Sequence, residues 1–161
     1  MTFIEAGDLL WQPKDIENTQ LYEFATIVKD RLGFDWKQDY EVLWQWSVDY
    51  PGDFWSALWD WHGIIGEKGE RQLIDADKMP GAQFFPDAQI NYAENMLRNA
   101  DEREAVIAYG EDGRCTRLTR KELRDKALAL AGWMQSKGIG KGDRVAAYLP
   151  NCETTIIAML A

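Results

Sequence analysis

The sequence predicts an α/β chain in two parts. A helical, tryptophan-rich region comes first, and the opening of a larger α/β unit follows. Three observations carry this. Seven of the eight tryptophans lie between Trp11 and Trp61, and helical spacing places Trp55, Leu58 and Trp59 on one face. Residues 105–161 alternate β-rich runs with helical periodicity. The final run, Ile156, Ile157, Met159 and Leu160, is apolar and reads as one more helix whose face needs further partners.

Met1 to Pro13 is expected to be extended. Asp15 or Asn18 is placed to cap a helix reaching Leu32, with Leu21, Phe24, Ala25, Val28 and Leu32 on one face and Gly33 as its stop. Tyr40 to Val48 reads as a short helix. Pro51 suits the first turn of another, carrying Phe54, Trp55, Leu58, Trp59 and Trp61. Gly63 to Gly69 reads as a loop and Gln72 to Ile74 as a short strand. Met79-Pro80-Gly81 is turn chemistry, and Phe84-Phe85, closed by Pro86, is a second short strand. Ile90 to Arg98 reads as a helix.

The second part begins near Asp101. Ala105 to Tyr109 and Cys115 to Leu118 form a hairpin around Glu111-Asp112-Gly113. Thr119-Arg120-Lys121-Glu122 matches a capping box and opens a helix to Lys137. After a turn over Gly138 to Asp143, Arg144 to Leu149 reads as a buried strand. Asn151 then caps the last helix.

The two parts differ in charge. Residues 1–100 carry 8 Lys+Arg against 18 Asp+Glu, and residues 101–161 carry 10 against 9, within a total of −9. The expected division is therefore 1–100 and 101–161. So acidic a surface repels phosphate backbones and anionic lipid, so neither nucleic acid nor membrane is expected as a partner. No apolar run has membrane-spanning length, and the N-terminus lacks a signal pattern. The two cysteines have no paired spacing and read as reduced thiols in a cytoplasmic protein.

Few residues invite chemistry. Lys137-Gly138-Ile139-Gly140-Lys141-Gly142 resembles a phosphate loop in composition. It follows a helix and precedes a strand, so it offers carbonyl ends rather than N–H groups and reads as a connecting turn. Leu149-Pro150-Asn151-Cys152-Glu153 sits where open α/β sheets bind ligands, but it has no glycine. His62, the sole histidine, reads as a helix-end residue. Cys152, at a helix start, is placed for a lowered pKa, while Cys115 is a strand bystander. The tryptophans read as core before they read as a binding platform. Arg120, Lys121, Arg124 and Lys126 read as a solvated helix face before an anion site, and no acidic cluster has metal-ligand spacing.

Leu118-Thr119, Glu122-Leu123, Lys141-Gly142-Asp143-Arg144-Val145, Leu149-Pro150-Asn151 and Met159-Leu160-Ala161 resemble the opening of the AMP-binding domain of adenylate-forming acyl-CoA synthetases. Trp46-Ser47-Val48-Asp49-Tyr50-Pro51, Asp53-Phe54-Trp55, Met79-Pro80-Gly81, Phe85-Pro86 and Asn91-Tyr92-Ala93-Glu94-Asn95 resemble the N-terminal region of the acetoacetyl-CoA synthetase family. The resemblance implies a parent ligase. It would activate acetoacetate with ATP and Mg²⁺ to an acyl-adenylate, then transfer the acyl group to CoA, in ketone-body and lipid metabolism. It also implies that the Ser/Thr/Gly-rich phosphate loop, the ribose-gripping acid, the downstream arginine and the C-terminal lysine lie elsewhere. No residue of this chain matches a catalytic, cofactor-binding or metal position of the family, so the chain alone is expected to be an inactive N-terminal fragment. The open apolar faces of residues 145–149 and 156–160 are expected to pair with another copy or to lose order. A stand-alone interaction module, or the same fragment of an acetyl- or propionyl-CoA synthetase, is the alternative.

Overall fold

The structure is a computed structural model and describes residues 10–161. The part of the expected extended segment Met1–Pro13 before residue 10 lies outside the described residues, and residues 10–13 have no regular structure. The chain divides into two compact units, Met1–Gln89 and Ile90–Ala161.

The first unit contains the predicted helices. α1 spans Gln20–Leu32, and its cap is Thr19, whose hydroxyl accepts from the Tyr22 N–H. Asp15 and Asn18 instead hydrogen-bond to each other one turn earlier, which corrects the expected cap. Gly33 takes φ 71° and ends the helix by donating to the Lys29 carbonyl, the left-handed closure that glycine makes without strain. α2 (Tyr40–Asp49) is capped by Asp39, and α3 (Pro51–His62) opens on its proline. Their contact faces meet in one core. Phe24, Ala25, Val28, Trp36, Leu43 and Trp46 are buried, with Tyr22, Phe34, Phe54, Ala57, Leu58 and Trp61 packed around them.

Aromatic rings build much of this core by edge contacts, the arrangement their quadrupoles prefer. Phe24 meets Phe54 at 5.7 Å and Trp61 at 5.4 Å between ring centroids. The tryptophans divide, however. Trp36 and Trp46 are buried, while Trp11, Trp44 and Trp55 are exposed. A ten- or twelve-residue helix has only one face to bury, so a tryptophan on its flank stays in water.

Four two-residue strands follow: β1 (Gly66–Glu67), β2 (Leu73–Ile74), β3 (Gln83–Phe84) and β4 (Gln89–Ile90). β2 and β3 pair antiparallel, with Leu73 opposite Phe84. The segment expected to be only a loop thus contains β1. Phe85 leaves the strand with φ 47°.

The second unit starts with α4 (Tyr92–Leu97), capped by Asn91 and shorter than expected at both ends. β5 (Glu104–Tyr109) and β6 (Cys115–Thr119) form the predicted hairpin, with an irregularity between Glu104 and Val106. Gly113, at φ 80°, makes its turn, and the Asp112 carboxylate accepts from the Arg114 N–H. α5 (Arg120–Ser136) carries the complete capping box, in which Glu122 Oε2 accepts from the Thr119 N–H at 2.8 Å.

Two expectations are corrected here. Residues 144–149 form no strand and are exposed, with Val145 64% and Tyr148 105% accessible. A strand exists only through a ladder partner, and none lies beside this segment among the described residues. The last helix, α6 (Glu153–Leu160), has Cys152 rather than Asn151 at its N-cap position, with no side-chain capping bond. Its apolar face does not stand open. Leu160 is buried with Leu123 and Ala127 of α5, and Ile156 and Ile157 join them. Only Met159 points to solvent from that run, at 66% exposure.

The fold class therefore stands: a helical, tryptophan-rich region followed by a mixed helix-and-sheet unit.

Candidate functional site

The glycine run lies where α5 ends. Gly138 takes φ 83°, and Gly138 and Ile139 donate back to the Gln135 and Met134 carbonyls at 2.9 and 3.1 Å. The Gly140 N–H is given to the Asp143 carboxylate at 2.8 Å. Three of the N–H groups that a phosphate would need are thus already engaged, and an acidic side chain sits among them. The run is a connecting turn, as its position after a helix implied. It borders a concavity of about 740 Å³ between the C-terminal ends of α5 and α6. Met134, Ile139, Val145 and Met159 supply apolar walls, while Asn91, Gln135, Lys141 and Asp143 supply polar ones.

The turn before α6 is tied down by Thr155, whose hydroxyl donates to the Pro150 carbonyl at 2.7 Å. Cys152 sits at the helix N-terminus. The Thr155 N–H lowers its thiol pKa below the ordinary thiol value; burial opposes it, and the Thr154 N–H adds a smaller lowering. That direction matches the sequence expectation. His62, the one histidine, is the last residue of α3 in the first unit. Cys115 is an exposed residue of β6.

Three of the four basic residues on the α5 face, Arg120, Lys121 and Arg124, have acidic partners. Arg120 reaches Asp101 at 3.6 Å, Lys121 reaches Glu102 at 3.9 Å and Arg124 reaches Asp125 at 3.4 Å. Exposed pairs of this kind describe a solvated surface. Among the described residues, no group of three or more His, Cys, Asp or Glu side chains could hold a metal ion. No described helix is long and apolar enough to cross a membrane.

Two polar clamps in the first unit have no forewarning in local sequence pattern. Lys68 Nζ donates to the Ser56 carbonyl (3.2 Å), Ser56 Oγ (3.1 Å) and Asp60 Oδ1 (2.5 Å), fastening the loop after β1 to α3. Arg71 holds Asp87 through Nε at 2.8 Å and through a second, Nη2–Oδ1 bond. These contacts join residues 8 to 16 positions apart across loops, beyond the reach of any helical or strand period.

Residues 40–96 match the family model described as the acetyl-coenzyme A synthetase N-terminus, and residues 93–161 match the AMP-binding enzyme model. The two matched stretches together resemble the N-terminal part of an AMP-binding synthetase. More narrowly, the chain is a homologue of the acetoacetyl-CoA synthetases. It is 43% identical over 160 residues to the acetoacetyl-coenzyme A synthetase of Rhizobium meliloti (strain 1021), a match covering 98% of this chain and 24% of that protein. It is 34% identical over 165 residues to the Xenopus tropicalis acetoacetyl-CoA synthetase, covering 100% of this chain and 24% of that one. The solved acetoacetyl-CoA synthetase from Streptomyces lividans superposes with a TM-score of 0.74 at 33% identity, covering 89% of this chain and 23% of the other. The chain spans about a quarter of the length of the relatives it matches.

Proposed function

We propose that this chain is the N-terminal part of an acetoacetate–CoA ligase. In this reading residues 1–100 are the N-terminal region and residues 101–161 start the AMP-binding domain. The observation that carries it is the 43% identity to an acetoacetyl-coenzyme A synthetase over nearly the whole chain.

The longer protein would join acetoacetate to ATP, release pyrophosphate, and pass the acyl group from the adenylate to CoA. A carboxylate is a poor electrophile, and AMP gives it a leaving group. Fixed positive charge and Mg²⁺ would steady the phosphates. The glycine run is a poor candidate for a phosphate cradle. Gly140 N–H is spent on Asp143, and the described residues offer no carboxylate cluster for a cation. The phosphate, ribose and metal contacts are therefore assigned to the rest of the longer protein, and the 161-residue chain alone is assigned no activity. Its role in the second unit is to pack α6 against α5. A cytoplasmic location fits its two free cysteines, and pairing between copies through residues 144–149 fits their exposure.

The test is formation of acetoacetyl-CoA from acetoacetate, ATP and CoA. The longer protein containing this chain should make it, and the chain alone should not. Thioester formation from acetate or propionate but not acetoacetate would leave the class and overturn the substrate. The acetyl-coenzyme A synthetase family model that matches residues 40–96 is the observation favouring that second reading.

A further inference from the structure

We draw no further inference here: the strongest candidate, the concavity between the C-terminal ends of α5 and α6 walled by Met134, Ile139, Val145 and Met159, belongs to a chain that spans about a quarter of the length of its relatives, and nothing in the structure shows what covers it.

Discussion

The Arg71 guanidinium grips the Asp87 carboxylate through both Nε and Nη2, and Asp87 also accepts from the Arg71 N–H at 3.3 Å. The grip works because Gly69 lets the two segments meet. A Cβ on Gly69 would stand 2.5 Å from the Asp87 Cβ and 3.1 Å from its carbonyl carbon, and Gly69 already holds φ 77°. Gly69→Ala should therefore destabilise the first unit by about 1–3 kcal/mol, combining steric overlap with a strained φ. Urea unfolding followed by tryptophan emission measures it. An unchanged midpoint would show that these segments move apart freely.

The acidic groups set a pH response. Asp87 is held below its ordinary carboxylate range chiefly by the Arg71 side chain, and Asp101 chiefly by the Arg103 side chain. Glu122 is lowered first by the Thr119 N–H, and Asp35 first by the Lys37 N–H. Each folded value lies below the unfolded one. Their contribution is therefore full at neutral pH, starts to fall as pH drops through about 4, and is gone below the folded values. The urea midpoint should decline from pH 5 to pH 2.5, and the decline should be shallower in Asp87→Asn. A midpoint that rises on acidification would contradict this.

Thr119→Ala removes one half of the capping box at the start of α5. It should cost about 1 kcal/mol of stability in the second unit. Glycine at the same place should cost only a few tenths. Helical circular dichroism during denaturation distinguishes the two variants.

Phe24 is 3% exposed and touches both Phe54 and Trp61. Phe24→Ala should cost about 3–5 kcal/mol through lost burial and a residual cavity, and Phe24→Leu clearly less. Thermal unfolding checks the order. Equal losses would mean that volume does not set the cost and that the ring contacts carry it.

Local chemistry was legible where it decided the structure. Pro51 at the first turn, Gly33 and Gly113 with positive φ, and Thr119-Glu122 as a reciprocal cap all read directly from short spacings. Periodicity found Phe24, Ala25 and Val28 as the buried face of α1. It failed where partners are distant in sequence. The strand pattern of Val145 to Leu149 is present in the residues, but its ladder is not formed among the described ones. Aromatic content identified a core without saying that Trp44 and Trp55 face water, since a helix flank shares its spacing with a helix face. The Lys68 and Arg71 clamps depend on loop closure, which no period records. In the glycine run the Gly140 N–H is given to Asp143, and helix polarity, not glycine content, decides which N–H groups are available.

The most direct measurement is acid-dependent exchange of labelled pyrophosphate into ATP, catalysed by the longer protein that contains these residues. We predict rapid exchange with acetoacetate, much slower exchange with acetate, and none from the 161-residue chain. Exchange that is absent with acetoacetate, or equally fast without any carboxylic acid, would contradict assignment to an acetoacetate–CoA ligase.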